Sequence, residues 1–127
     1  MNNPSDRDPL SERVIGLAID VHRALGPGLL ESAYEECLCL ELRQADVSYT
    51  RQVPLPIVYK GMRLDCGYRL DVVVAHSLIL EIKSVEQLLP IHEAQILTYL
   101  RLSGTKVGLL INFNTALLKN GVRRFIL

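Results

Sequence analysis

The stretch Tyr68–Gln87, YRLDVVVAHSLILEIKSVEQ, decides the fold that the sequence predicts. It divides into two apolar segments, Tyr68–Ala75 and Leu78–Lys83, joined by a short connection at His76-Ser77. Both segments are rich in Val, Leu and Ile, which favour a pleated and mostly buried surface. The pattern therefore predicts two neighbouring strands inside a sheet.

Three charged side chains stand inside these apolar strands: Asp71, Glu81 and Lys83. Because side chains alternate along a strand, Glu81 and Lys83 share one face. Neighbouring strands lie about 4.8 Å apart, so Asp71 can face Glu81 across the pair. Burying these charges is costly, and a hard divalent cation would offset that cost. A solvated hairpin face is the alternative interpretation, but the apolar flanks VVVA and LILEI favour a sheet covered on both faces.

Length and composition predict one globular domain over residues 1–127. Of the 127 residues, 49% are hydrophobic, and the formal net charge is zero. No apolar run approaches the roughly 20 residues of a membrane span and no basic-then-apolar leader opens the sequence, so we expect a cytoplasmic protein without membrane contact. The 3 cysteines show no CxxC spacing, which predicts reduced thiols instead of a disulfide framework or a zinc site.

The net charge of the chain indicates how it can bind nucleic acid. Proteins that clamp long duplexes usually carry a basic excess, because phosphate neutralisation drives such binding. A net charge of zero instead favours local contact with nucleic acid, and leaves room for a homodimer or a delivery partner.

The other elements follow from local patterns. Residues 1–7 are polar and are expected to be flexible. Asp8-Pro9 is a typical helix start, and Gly26-Pro27-Gly28 a typical stop. The further elements predicted are a helix over Leu29–Ala45, a strand over Val47–Val53, a hairpin turning at Lys60-Gly61, a helix over Pro90–Ser103, and strands over Lys106–Phe113 and Val122–Leu127.

The second helix carries an acid on its apolar side. Glu31 begins a stripe formed by Tyr34, Leu38 and Leu42, and this stripe should face the core. A first-turn acid stabilised by the helix dipole is an equally good interpretation of Glu31. The other charged residues of this helix are expected to be solvated: Glu35, Glu36 and Arg43.

The helix over Pro90–Ser103 is expected to have two distinct faces. Its apolar face should consist of Ala94, Leu97 and Leu100, with Ile96 beside it. A second face aligns His92, Gln95 and Tyr99 at i, i+3 and i+7. From this face, Gln95 and Tyr99 can reach the carboxylates on the sheet; exposure or local hydrogen bonding is the alternative.

Four short motifs follow one another along the chain: GLLESAY (Gly28 to Tyr34), RLD (Arg69 to Asp71), EIK (Glu81 to Lys83) and QILTYL (Gln95 to Leu100). Together they resemble the GxxExxY proteins, a compact bacterial branch of the PD-(D/E)XK nuclease superfamily. The resemblance runs from about Val14 to Arg124. It implies an α/β fold with a restriction-endonuclease-like core, in which helices flank a mixed central β-sheet.

The resemblance also implies roles for single residues. The matching positions are Asp71, Glu81 and Lys83 for the core motif, Glu31 for the helical acid, and Gln95 with Tyr99 for the downstream helix. Arg69 stands where the superfamily often has a proline or another residue, so only the aspartate beside it carries over. Tyr34 and Arg69 are expected to support the site.

Oxygen ligands such as Asp71, Glu81 and Glu31 suit Mg²⁺ or Mn²⁺ and not zinc. The resemblance implies that the backbone carbonyl of Ile82 completes the ligand set. Such an ion lowers the pKa of a bound water and neutralises charge on a phosphodiester oxygen.

Three more side chains have expected roles beside that ion. Lys83 is placed to orient or deprotonate the water, or to stabilise the pentavalent phosphorus. Gln95 would position water or a phosphate, and Tyr99 would support Gln95.

Two functions therefore stay open. The preferred one is a metal-dependent nuclease that cuts nucleic-acid phosphodiesters, with DNA as the expected substrate. The other is a non-catalytic module that retains the fold and binds nucleic acid or a partner. The intact set of Asp71, Glu81 and Lys83 favours the first function, and the neutral charge favours the second.

Overall fold

The computed structural model describes residues 8–127, and the expected flexibility of residues 1–7 lies outside this range. The helices are α1 (Pro9–Leu25), α2 (Glu31–Gln44) and α3 (Pro90–Ser103). The strands are β1 (Tyr49–Pro54), β2 (Ile57–Tyr59), β3 (Met62–Leu64), β4 (Arg69–Val74), β5 (Leu78–Lys83), β6 (Val107–Asn112) and β7 (Val122–Ile126). A short 3₁₀ helix, Leu118–Gly121, leads into β7.

Five strands form a mixed sheet in the order β1-β4-β5-β6-β7. The central pair β5 and β6 is parallel, and the other neighbours are antiparallel. Strands β2 and β3 form a separate hairpin, whose predicted turn at Lys60-Gly61 has φ angles of 51° and 77°. The predicted α/β fold, a mixed sheet flanked by helices, is confirmed.

Helices cover both faces of this sheet. Helices α1 and α2 pack on the face that carries Val72, Leu80 and Ile82. Helix α3 packs on the opposite face, where Leu100 meets Ile79. Because both faces are covered, nearly every residue of β5 is buried, including Glu81. This two-sided cover explains why the strand sequence is a continuous apolar run and not an alternating one.

The hairpin between β4 and β5 turns one residue earlier than predicted. The N–H of Ser77 donates to the carbonyl of Val74 at 3.0 Å, which places the turn at Ala75-His76. Both turn residues have positive φ angles, 50° and 55°. Two left-handed residues match the twist of the flanking strands, and this match selects the position of the turn.

The predicted apolar face of α3 is partly wrong. The buried residues of α3 are Ile96, Tyr99 and Leu100, whereas Ala94 is exposed. Gly108 of β6 explains the orientation, because a Cβ at this position would lie 3.0 Å from Ile96 and 3.2 Å from Leu100. The missing side chain lets these two residues approach the sheet, and Ala94 turns away with the outer surface of the helix.

Candidate functional site

Strands β4 and β5 separate at the position of Asp71. Their last backbone pair is Val72 with Leu80, so Asp71 and Glu81 would come next in register. There the N–H of Ile82 donates to Oδ2 of Asp71 at 2.8 Å, in place of a backbone acceptor. The N–H of Asp71 lies 3.4 Å from Oε1 of Glu81. The two carboxylates therefore occupy the opening between the strands.

The backbone is also irregular on the other side of Asp71. The pairs Arg51 with Val72 and Val53 with Leu70 leave Gln52 of β1 opposite Asp71. Gln52 has a φ angle of 50°, a left-handed conformation that is rare for a residue with a side chain. Such conformations cluster at functional sites, where surrounding structure holds them in place.

The two carboxylates have raised pKa values. Burial, and then the charge of Asp71, raise the pKa of Glu81 to about 8. Burial is also the main cause that raises the pKa of Asp71, and the hydrogen bond from Ile82 opposes it. The charge of Lys83 lowers both pKa values, which places its ammonium within electrostatic reach of the pair. Without a bound cation, Glu81 is therefore mostly protonated at neutral pH.

Glu31 lies beside this pair but is held by the backbone. It is exposed at the first position of α2, and its Oε2 accepts a hydrogen bond from the N–H of Ser84 at 3.2 Å. The hydroxyl of Ser84 in turn donates to the carbonyl of Leu29 at 2.6 Å. The charge of Glu31 raises the pKa values of both Asp71 and Glu81. Glu31 thus joins the electrostatics of the site from its edge.

Tyr34 fixes the start of α2 against the end of β5. Its buried hydroxyl donates to the carbonyl of Gly26 at 2.6 Å and accepts from the N–H of Leu29 at 3.1 Å. Its ring stacks on Phe113 with centroids 4.4 Å apart. The N–H of Phe113 donates to the carbonyl of Lys83 at 2.9 Å. Tyr34 therefore positions the turn that precedes Glu31.

Helix α3 brings Gln95 and Tyr99 to the same region. Burial, and then the charge of Glu81, raise the pKa of Tyr99, whereas the neighbouring side chain of Gln95 lowers it. The ring of Tyr99 meets that of Tyr68 edge to face, with centroids 6.1 Å apart. Arg69 is different, because it is exposed and its guanidinium donates to the carbonyl of Tyr68 at 3.4 Å.

The expectation that Glu35 is solvated is wrong. Glu35 is only 6% exposed. Its carboxylate accepts from Arg51 at 2.7 and 3.0 Å and from Gln52 at 2.9 Å. Its charge also raises the pKa of Asp71. The sequence held one signal for this position, since Glu35 follows Glu31 by four residues and so lies on the same side of the helix.

The acid pair fits a hard cation that completes its shell with water and substrate. Within residues 8–127, no group of three or more His, Cys, Asp and Glu side chains could hold a metal ion by itself. Mg²⁺ commonly uses one or two carboxylates, several waters and substrate phosphates, so Asp71 and Glu81 suffice as its acidic ligands. The N–H of Ile82 points to Asp71, and a strand residue directs its C=O to the same side as its N–H.

Along residues 8–127, none of the helices combines the length and the apolar character needed to cross a membrane.

A comparison with protein-family models identifies the family of the chain. The model of the PD-(D/E)XK nuclease superfamily matches residues 8–125. No curated protein and no solved structure matches the chain. The family match spans both sides of the sheet, from the N-cap of α1 to β7. The chain therefore belongs to the PD-(D/E)XK nuclease superfamily.

Proposed function

We propose that this protein is a Mg²⁺- or Mn²⁺-dependent nuclease of the GxxExxY branch that hydrolyses phosphodiester bonds, with DNA as the preferred substrate. The observation that carries the proposal is the pair Asp71 and Glu81, whose pKa values are raised at the opening between β4 and β5. Perturbed carboxylates that share one site are typical of catalytic and metal-binding positions. Membership of a nuclease superfamily supports the same chemistry.

Asp71 and Glu81 would hold the ion, and the carbonyl of Ile82 is directed to the same opening. Glu31 would join through a bridging water, or directly once its bond to Ser84 opens. When bound, the ion activates a water and neutralises charge that develops on the phosphate.

Lys83 and Gln95 would act on the substrate. The ammonium of Lys83 shares a face with Glu81, where it can orient the attacking water and stabilise negative charge on the phosphate oxygens. The amide of Gln95 would position the water or a phosphate oxygen. Tyr99 would be a positioning residue, because its hydroxyl lies next to the side chain of Gln95.

A non-catalytic binding module is the second candidate, and one observation favours it. The carboxylates of Asp71 and Glu31 already accept hydrogen bonds from the backbone of Ile82 and Ser84. Acids held in this way can serve the fold without binding a metal. The cytoplasmic location, the single domain over residues 1–127, and a homodimer or delivery partner stay predictions under either function.

Cleavage assays with a matched lysine variant distinguish the two candidates. Purified wild type and Lys83→Ala are incubated with labelled single-stranded and duplex DNA and RNA, each in Mg²⁺, Mn²⁺, Ca²⁺ and EDTA. We expect the wild type to cleave in Mg²⁺ or Mn²⁺, poorly in Ca²⁺ and not in EDTA, and Lys83→Ala to be inactive. Equal cleavage by the two proteins would point to a contaminant, and absent cleavage would leave the binding module.

A further inference from the structure

An apolar groove lies between α3 and the base of the β2–β3 hairpin. It encloses about 260 Å³ and is lined by Ile57, Tyr68, Ile91, Leu102, Gln95 and Tyr99, among others. This volume is below the roughly 300–1,000 Å³ of sites for drug-sized ligands, so the groove has room for one ring system and not for a large ligand.

The rim of the groove exposes apolar side chains to solvent. Ile91 is 68% exposed, Tyr68 is 43% exposed and Leu102 is 40% exposed. Apolar side chains gathered at the edge of a cleft often mark a surface that binds a ligand or a partner. Tyr68 places an aromatic ring at this rim, and Tyr99 packs against that ring at an interplanar angle of 61°.

The groove shares two residues with the candidate active site. Gln95 and Tyr99 line it, and the charge of Glu81 acts on the hydroxyl of Tyr99. A molecule in the groove is therefore separated from the acid pair by these two side chains. An occupant that extends past Tyr99 would place its next atoms beside Glu81.

Two exposed cations adjoin the groove. Arg69 follows Tyr68 in the chain and donates to its carbonyl, and Arg101 donates to the hydroxyl of Thr98, which lines the groove. An apolar cleft with an aromatic platform and cations beside it matches the chemistry of a nucleotide, whose base is flat and whose phosphates are anionic. The zero net charge of the whole chain limits this attraction to a local one.

We propose that this groove binds one unpaired nucleobase of a single-stranded nucleic acid, next to the phosphodiester bond that is hydrolysed at the acid pair. The proposal rests on the proposed nuclease function and specifies its substrate. A base inside a duplex is stacked on both faces and paired at its edge, so it can lie on Tyr68 only after leaving the helix. Single-stranded regions meet that requirement without the cost of unpairing.

The test measures binding and not cleavage, by fluorescence anisotropy in Ca²⁺. The probes are a labelled oligodeoxythymidylate, its duplex with a complementary strand, and a strand of equal length without bases. We expect the thymidylate strand to bind about tenfold more tightly than the baseless strand, as one stacked base allows. Tyr68→Ala should remove this difference, and Tyr68→Phe should keep it.

Two further variants control for folding and for surface aromatics. Tyr59→Ala removes another exposed tyrosine, on the hairpin outside the groove, and should bind like the wild type. Ile91→Glu places a negative charge at the groove's rim and should weaken thymidylate binding. The side chain of Ile91 is 68% exposed, so the substitution leaves the core packing in place.

Three outcomes would overturn the groove proposal: no binding of any probe, equal binding of the thymidylate and baseless strands, or equal affinity of Tyr68→Ala and Tyr59→Ala. A wild-type dimer that Ile91→Glu dissociates would assign the groove to a second copy of the chain instead. The base-dependent difference should persist in Glu81→Gln. Base-dependent binding without metal-dependent cleavage would therefore keep the groove and reject the nuclease function.

Discussion

Two glutamates of nearly equal burial, Glu35 and Glu81, have opposite surroundings. They are 6% and 5% exposed. Glu35 is paired with Arg51 at 2.7 Å and receives a further hydrogen bond from Gln52. Glu81 instead faces the carboxylate of Asp71 and has a pKa raised to about 8. A buried charge must be neutralised. The charge of Glu35 is neutralised within the fold by Arg51, whereas that of Glu81 requires a bound proton or cation.

We infer from this difference that Glu35 stabilises the fold and that Glu81 serves the proposed chemistry. Functional sites commonly lower the stability of a fold, because they hold groups in energetically unfavourable positions. The same Glu→Gln change at the two positions should therefore have opposite consequences.

The largest expected effect is on cleavage. Glu81→Gln should reduce metal-dependent cleavage by about 10²–10³-fold or more, the loss seen when one group that stabilises a transition-state charge is removed. Glu35→Gln should stay within a few-fold of wild type once the folded fraction is equal. Initial rates on the best DNA substrate in Mn²⁺ measure both variants. Similar losses in the two variants would end the functional distinction between the acids.

Glu35→Gln should lower the free energy of unfolding by about 1–3 kcal/mol, since Arg51 loses its buried charged acceptor. Glu81→Gln should leave metal-free stability unchanged or raise it. Urea denaturation in EDTA at neutral pH gives both values. Glu36→Gln is the control, because Glu36 contacts the same arginine but its side chain is 68% exposed. If Glu81→Gln were destabilised and Glu35→Gln were not, then Glu81 and not Glu35 would be the acid that stabilises the fold.

The pH dependence of stability should differ between wild type and Glu81→Gln. The pKa of Glu81 is raised from 4.5 to about 8 on folding. The stability that this raised pKa contributes is fully present below pH 4.5 and is lost as the pH rises through about 8. The wild type should therefore lose more stability than Glu81→Gln across this window, by at least about 1.4 kcal/mol, the equivalent of one pKa unit.

Urea denaturation in EDTA at several pH values measures this difference. Titrating groups distant from the acid pair are common to both proteins and cancel when the two profiles are subtracted. The remaining difference reports Glu81 together with Asp71, whose charge acts on Glu81. Parallel profiles would mean that folding does not raise the pKa of Glu81. Burial and the charge of Asp71 would then not act on Glu81 as argued above.

A smaller effect is expected from Tyr34→Phe, which removes the hydroxyl that joins Gly26 to Leu29. The loss should be about 0.5–1.5 kcal/mol, the net contribution of a typical hydrogen bond. Thermal or urea denaturation measures it, with Tyr59→Phe on the exposed hairpin as the control. An unchanged stability would show that the stack on Phe113 alone holds the start of α2.

The sequence predicts the sheet and the acid pair because both depend on local patterns. The apolar segments predict strands β4 and β5, and the two-residue period of a strand places Asp71 opposite Glu81. The mixed sheet follows from the family resemblance. Contacts between distant elements are harder to predict. The Glu35–Arg51 pair joins α2 to β1, and a charged helix residue looks the same in sequence whether it is solvated or paired.

The sequence also does not predict the irregularities of the backbone. The left-handed φ angle of Gln52 depends on how β1 passes the opening at Asp71, and nothing in the local sequence RQVP demands it. The turn at Ala75-His76 lacks the glycine or asparagine that usually marks left-handed residues. The orientation of α3 depends on Gly108, which lies in another element. Such features are set by packing and not by local propensity.

The most direct test of the central claim is the effect of Mn²⁺ on the melting of wild type, Glu81→Gln, Asp71→Asn and Glu35→Gln. With free Mn²⁺ at about ten times its dissociation constant, binding stabilises the folded state by about 1.4 kcal/mol, or several degrees at this chain length. Wild type and Glu35→Gln should show this shift, and Glu81→Gln and Asp71→Asn should not. A wild type indifferent to Mn²⁺, with Glu81→Gln and Asp71→Asn both destabilised, would contradict the claim that this acid pair binds a metal ion.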